Sequence, residues 1–124
     1  MNSKNGSLLY ATRNALAGIP VLLRESAARR EVILIVFAAA CALHAPNPYS
    51  LAFLASSIVL LAIEALNTAI EAICDHITAE RHPDIKAIKD VAAAGVFLMV
   101  MLTAGAGIAF VADYFDLFGT PTTT

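Results

Sequence analysis

The sequence has few charged residues and lacks a glycine-rich phosphate loop. Only 15% of its 124 residues are Asp, Glu, Lys or Arg, and the formal net charge is −2. A net charge this close to zero gives no indication of a nucleic-acid partner. None of the six glycines precedes a Lys-Ser or Lys-Thr pair, which excludes a P-loop. Any phosphate chemistry must therefore use side chains on helices.

Cysteine is scarce as well. Cys41 and Cys74 lie in apolar or helical stretches without a partner at useful spacing, and we expect soft hydrophobic residues rather than a disulfide. Cys74, Asp75 and His76 are consecutive, and consecutive helical side chains point in directions about 100° apart. That geometry excludes a zinc site at these three residues.

Apolar residues, by contrast, make up 59% of the chain, which indicates a membrane environment and a single domain, residues 1–124. Residues 91–112 carry no charge and are long enough to span a bilayer. Two shorter runs, residues 32–45 and 51–63, flank the turn Pro46-Asn47-Pro48, and each can lengthen on its far side. We predict three membrane-spanning helices; the alternative for the two shorter runs is a re-entrant or buried segment. No removable signal peptide is predicted.

Basic residues indicate the orientation of these helices. They accumulate before the first run and between the second and third, so the positive-inside rule predicts a cytoplasmic N-terminus. Before the first run, apolar residues recur at roughly helical spacing, which predicts an amphipathic helix on the inner surface, interrupted at Gly18 and Pro20. The two basic clusters are Lys4, Arg13, Arg24, Arg29 and Arg30, and then Arg81, Lys86 and Lys89.

Four polar residues share one face of the second predicted span. Glu64, Asn67, Glu71 and Asp75 are spaced i, i+3, i+7 and i+11. Ionisable residues are costly near a membrane, so they normally face a bundle interior or a wet cavity and mark a functional site. The structural alternative is a stripe of interhelical hydrogen bonds.

The depth of the charged residues points to a nucleotide site. Counting about 20 residues inward from the outer end of each span places Glu25, Glu71, Lys89 and Asp90 together at the inner interface. Magnesium is usually held by one or two carboxylates plus substrate phosphates, and lysine binds phosphate oxygens as a point charge. This combination predicts a magnesium–nucleotide site. The alternatives are a surface ion pair of Glu25 with Arg29, and a small oligomeric channel or transporter with the polar stripe lining its pore.

Three segments resemble the prokaryotic diacylglycerol kinase family: EALNTAIEAICD at residues 64–75, ERHPDIKAIKDVAAAG at residues 80–95 and ESAARREV at residues 25–32. The resemblance implies an all-α integral membrane protein, a homotrimer of three-span subunits in the bacterial inner membrane, each with a surface helix. It also implies transfer of phosphate from Mg-ATP to a lipid alcohol, as in phospholipid biosynthesis. Diacylglycerol is the favoured acceptor. Undecaprenol is the alternative, because His82-Pro83 and KDVAAAG resemble the undecaprenol kinases of the same family.

The resemblance also implies roles for individual residues. Glu64 corresponds to the general base and Asn67 to its polar partner, whereas Asp75 matches a polar position whose role stays open. Glu25 and Glu71 correspond to the metal-binding carboxylates. The implied nucleotide-binding set is Glu25, Glu71, Glu80, Arg81, His82, Lys89 and Asp90.

The N-terminal segment departs from the family pattern. The family often has an arginine near the start of the surface helix, where Ser7 or Leu8 stands here. It also has an aromatic residue near the place of Leu16. Arg13 and Asn14 are the remaining candidates for nucleotide contacts from the surface helix.

Overall fold

The computed structural model describes residues 6–117 and residue 119, and Lys4 of the first basic cluster lies outside them. The described chain forms four α-helices, α1 Leu8–Leu22, α2 Ser26–His44, α3 Pro48–Ile77 and α4 Pro83–Tyr114. No strand occurs within this described part of the chain. The prediction of an all-helical protein is confirmed there. Helix α3 is the central element, because it packs against both α2 and α4.

Helix α1 is continuous, although the sequence predicted an interruption. It begins after Ser7, whose hydroxyl accepts a hydrogen bond from the Tyr10 backbone N–H at 3.3 Å, and it includes both Gly18 and Pro20. Pro20 lies in the last turn. It has no backbone N–H and so cannot make one of the helical hydrogen bonds, and the helix ends two residues later. No residue of α1 is buried. This exposure agrees with a helix that lies on a surface.

The turn between α2 and α3 is closed by a capping box. The Asn47 side chain accepts from the backbone N–H of Ser50, and the Ser50 hydroxyl accepts from the backbone N–H of Asn47. Pro48 occupies the first helical position, where its missing N–H costs no bond. The two shorter apolar runs therefore extend on their far sides into α2 and α3, as expected.

Two helices, α3 and α4, are long and apolar enough to cross a membrane by length and composition. Their 30 and 32 residues correspond to roughly 45 Å of helix each. Helix α2 has 19 residues, about 28 Å, and begins with the charged residues Arg29, Arg30 and Glu31 in its first two turns. It is therefore close to the minimum length for a span.

Small residues of α4 bring it close to α3. A Cβ atom added at Gly107 would lie 3.2 Å from Cε1 of Phe53, and one added at Gly95 would lie 3.8 Å from Cγ2 of Ile63. The ring of Phe53 also packs edge-on against Phe37 of α2, with ring centroids 6.2 Å apart. A Cβ at Gly105 would meet open space.

Polar contacts join the helices at the end of the bundle that contains the last residues of α2 and α4, which we call the outer end. Nε2 of His44, at the end of α2, lies 3.2 Å from the Tyr114 hydroxyl at the end of α4. The Asn47 side-chain amide donates to Oδ2 of Asp113 at 3.3 Å. These contacts close the outer end and leave the carboxylates of α3 at the opposite end.

Candidate active site

The C-terminal half of α3, which we call its inner half, carries a buried polar group. Glu64 is 7% exposed and Asn67 is 8% exposed, both on the face of α3 that packs in the bundle. The Asn67 amide donates to Oε1 of Glu71 at 3.4 Å, and it also interacts favourably with the Glu64 carboxylate. Asn67 therefore connects the buried carboxylate to Glu71, which is exposed at the edge of the group.

Glu25 reaches this group from α2. It is the N-cap residue of that helix, but its side chain makes no capping hydrogen bond, and its charge interacts with that of Glu64. The alternative ion pair with Arg29 is wrong, because the Arg29 guanidinium instead donates to the carbonyl oxygens of Leu23 and Arg24 at 3.0 and 2.7 Å. Arg29 thus fixes the turn between α1 and α2, and the Glu25 carboxylate remains available to a ligand.

An ion pair joins α3 to α4 at the same end of the molecule. Nζ of Lys89 lies 2.5 Å from Oδ1 of Asp75, and the charge of Lys89 also interacts with Glu71. Asp75, whose role the sequence left open, is therefore the residue that holds Lys89 beside the polar stripe. Asp90 bonds elsewhere, to Lys86 one turn earlier on α4, also at 2.5 Å.

An open cavity of about 800 Å³ lies beside the connection between α3 and α4. The Glu80 backbone N–H donates to Oγ1 of Thr78 at 3.0 Å, and Nδ1 of His82 accepts from the Asp84 backbone N–H at 3.2 Å at the start of α4. Three cationic side chains meet at this cavity, which suits a polyphosphate. Its charged and polar lining is Asp75, Thr78, Glu80, Arg81, His82, Lys86 and Lys89.

A comparison with known protein families shows what this chain is similar to. The model of the family described as prokaryotic diacylglycerol kinase matches residues 13–111. The chain belongs to this family. A diacylglycerol kinase of Pseudomonas aeruginosa is 34% identical over 94 residues, which cover 73% of this chain and 76% of that relative. The family predicted from the three motifs is confirmed.

Membership in the prokaryotic diacylglycerol kinase family indicates the type of reaction, which is phosphoryl transfer to a lipid. Its members are membrane-associated lipid kinases, phosphotransferases whose substrates are ATP and a lipid. The matched residues include every sequence-predicted site residue from Glu25 to Asp90. The helices that carry these residues also pack against one another, because α3 contacts both α2 and α4.

The residues of this family member fit magnesium that arrives with a nucleotide. Within the described residues, no group of three or more His, Cys, Asp or Glu side chains is placed to hold a metal ion by itself. Magnesium does not need such a cage, because it is usually bound by one or two carboxylates together with substrate phosphates and water. Glu25 and Glu71 supply carboxylates of this kind, and the charge of each interacts with that of Glu64.

Sequence reasoning assigned no role to Glu31. This residue of α2 is only 9% exposed, its charge interacts with that of Glu64, and its Oε2 atom has no hydrogen-bond partner. It shares the buried face of α2 with Ala28 and Ala38. Two signals were present in the sequence: Glu31 lies inside the motif ESAARREV, and it is three residues after one of these alanines and seven before the other.

Proposed function

We propose that this chain is an ATP-dependent diacylglycerol kinase, which transfers the γ-phosphate of Mg-ATP to diacylglycerol and forms phosphatidic acid. The observation that supports this most directly is the buried Glu64 carboxylate, supported by Asn67 and lying near the exposed carboxylates of Glu25 and Glu71. A base for a lipid hydroxyl must be inside the bundle, whereas groups that meet a soluble nucleotide must reach water. The two kinds of group adjoin at this site.

Glu64 acts as the general base in this proposal. It takes the proton of the lipid hydroxyl as the hydroxyl oxygen forms a bond to the γ-phosphorus, while the bond between that phosphorus and the bridging oxygen of ATP breaks and ADP leaves. The Asn67 amide holds the carboxylate in place through the interaction described above. The buried position of Glu64 matches an acceptor whose hydroxyl lies just below the lipid headgroups.

The other predicted residues hold the nucleotide. Glu25 and Glu71 would bind magnesium, which neutralises charge on the phosphate oxygens when it is bound. Lys89, held by Asp75, is positioned to bind phosphate oxygens, and Asp90 lies next to it on α4. The α3–α4 connection contributes Glu80, Arg81 and His82 at the cavity.

We extend the proposal to the assembly of the protein. The chain forms a single domain, residues 1–124, with α2, α3 and α4 as three spans, the N-terminus in the cytoplasm and α1 on the inner surface of the bacterial inner membrane. Large apolar side chains are exposed on every helix, including Leu9, Phe37, Ile73 and Leu98. Such surfaces need lipid or neighbouring subunits to cover them, which supports a membrane-embedded assembly. We propose a homotrimer because the resemblance to the family implies one.

Transfer of radiolabelled γ-phosphate in mixed micelles tests the proposed function. Purified protein receives Mg-ATP and either diacylglycerol or undecaprenol in the same detergent, and kcat/KM is compared because discrimination between acceptors lies in that ratio. We expect label in phosphatidic acid and a higher kcat/KM for diacylglycerol.

The other outcomes have distinct meanings. A higher kcat/KM for undecaprenol would change the acceptor and keep the phosphoryl transfer. Label in neither lipid, from protein whose oligomeric state is intact, would contradict the kinase and favour a channel or transporter lined by the polar stripe.

A further inference from the structure

Glu31 and Glu64 place two carboxyl groups inside the contact between α2 and α3. Both side chains are at least nine-tenths buried, and a negative charge on one opposes a negative charge on the other. The cation that acts on both is Arg30, whose side chain is on the exposed part of α2. Two ionised carboxylates that share a poorly hydrated site are unfavourable, and one of them normally keeps a proton.

The hydrogen bonds of this site also indicate that one of the two carboxyl groups is protonated. An ionised carboxylate accepts hydrogen bonds and donates none. Oε2 of Glu31 and Oδ1 of Asn67 are both buried acceptors without a partner, and the Asn67 amide is already engaged with Glu71 and Glu64. Buried polar atoms are nearly always paired, so the site lacks a donor. A proton on a carboxyl group would supply one.

The two carboxyl groups differ in their surroundings, which indicates which of them holds the proton. Glu64 is stabilised as an anion by the Asn67 amide, whereas Oε2 of Glu31 receives no hydrogen bond. We propose that Glu31 remains protonated in the active enzyme and acts as a neutral hydrogen-bond donor that positions the ionised Glu64 for proton abstraction. This positioning role rests on the proposed lipid kinase activity, in which Glu64 is the base.

Two substitutions of Glu31 distinguish a hydrogen-bond donor from an ionised carboxylate at this position. In Glu31→Gln the side-chain amide can still donate a hydrogen bond, whereas in Glu31→Leu a side chain of similar size has none. We expect Glu31→Leu to lower kcat about tenfold or more, with the KM values for lipid and ATP within about twofold of wild type. Glu31→Gln should keep kcat within about threefold of wild type. If Glu31 acted as an ionised carboxylate instead, Glu31→Gln would remove its charge and lower kcat as Glu31→Leu does.

The pH–rate profile provides a readout that packing does not affect. The charged groups around Glu31 are Arg30 on its own helix and Glu64 on α3, with Glu25 and Glu71 acting on Glu64. As pH rises, loss of the Glu31 proton would add a second negative charge beside Glu64 and lower the rate. Glu31→Gln has no such proton to lose, so its rate should stay high further into the alkaline range than that of the wild type.

Infrared spectroscopy of the wild-type protein in micelles tests the proton directly, with or without activity. We expect a carbonyl stretch of a protonated carboxyl group that disappears in Glu31→Gln. In Glu64→Gln the band should remain but be lost at a lower pH than in the wild type, because the opposing charge of Glu64 is absent. Persistence of the band in Glu31→Gln, equal kcat in Glu31→Leu and Glu31→Gln, or a magnesium requirement raised by Glu31→Gln would each overturn the proposal. If the band behaves as expected but no lipid is phosphorylated, the proton assignment holds and the proposed function fails.

Discussion

The two halves of α3 differ in whether their buried polar side chains have hydrogen-bond partners within the protein. In the outer half, the hydroxyls of Ser56 and Ser57 donate to the Phe53 carbonyl at 3.0 and 2.7 Å, and Ser50 completes the capping box with Asn47. In the inner half, Asn67 leaves one buried oxygen unpartnered. Both halves carry buried polar groups, but only the outer half satisfies them within the protein.

We use this difference to separate polar residues that serve structure from polar residues that we propose to serve a ligand. A serine whose hydroxyl donates a hydrogen bond to a carbonyl of its own helix costs little to bury and needs no further partner. A carboxylate in the same bundle is costly, and membrane proteins keep such groups where they act. The absence of internal partners therefore distinguishes the two halves better than polarity does. The following substitutions test that distinction.

Glu64→Gln should have the largest effect. It keeps the shape of the side chain and removes the base, so turnover should fall by about 100-fold or more. Nucleotide binding and the oligomeric state should remain near those of the wild type. Radiolabel transfer to lipid measures the turnover, and size-exclusion chromatography in detergent checks the assembly. Turnover like that of the wild type in the assembled variant would remove Glu64 from the role of base.

Glu25→Gln and Glu71→Gln should act on magnesium rather than on the base. Each removes one carboxylate from a hard cation that prefers charged oxygen ligands, so the magnesium concentration for half-maximal activity should rise about tenfold. Ser57→Ala, in the outer half of α3, is the matched control and should leave the magnesium titration unchanged. Titrations identical to that of the wild type in both Glu variants would contradict metal binding by this pair.

Much of this arrangement was predictable because it follows from helical periodicity and charge. The face shared by Glu64, Asn67 and Glu71 depends only on their spacing, and the structure brings them together as expected. The pairing of Lys89 with Asp75 was not predictable in the same way. It depends on how α4 rotates against α3, which the packing of Gly95 and Gly107 helps to determine.

The burial of Glu31 was missed for a related reason. Helical spacing tells which residues of α2 share a face, but not which face of α2 meets α3, and a charged residue is normally assigned to the solvent side. The continuity of α1 through Pro20 was also not predicted, because proline removes a backbone hydrogen bond and usually ends or kinks a helix, whereas here two more helical residues follow it. Tertiary packing decided the burial of Glu31, but not the continuity of α1, because no residue of α1 is buried.

Gly107→Ala tests the packing of the outer half. The added Cβ would lie 3.2 Å from the Phe53 ring, which is itself buried and packed against Phe37. Overpacking of this kind typically costs about 1–3 kcal/mol. The thermal unfolding midpoint in detergent should fall, while kcat per folded protein stays close to that of the wild type.

Gly105→Ala is the matched control for that substitution. It adds the same methyl group two residues earlier on α4, where a Cβ would meet open space. It should therefore leave the unfolding midpoint unchanged or raise it slightly, because alanine favours a helix by up to about 1 kcal/mol over glycine. Equal midpoints for the two variants would show that Phe53 moves aside without cost.

Ser57→Ala should have the smallest effect, although Ser57 is completely buried. Its hydroxyl donates to the Phe53 carbonyl, and that carbonyl also accepts from Ser56, so the substitution leaves no buried donor or acceptor unpaired. A change in unfolding free energy below about 1 kcal/mol is expected for such a bond, because most of its strength is offset by the bonds it replaces. Thermal unfolding and the lipid kinase assay, measured together, check this expectation. A large loss of activity would mean that the outer half of α3 also contributes polar groups to function, and the contrast between the two halves would be wrong.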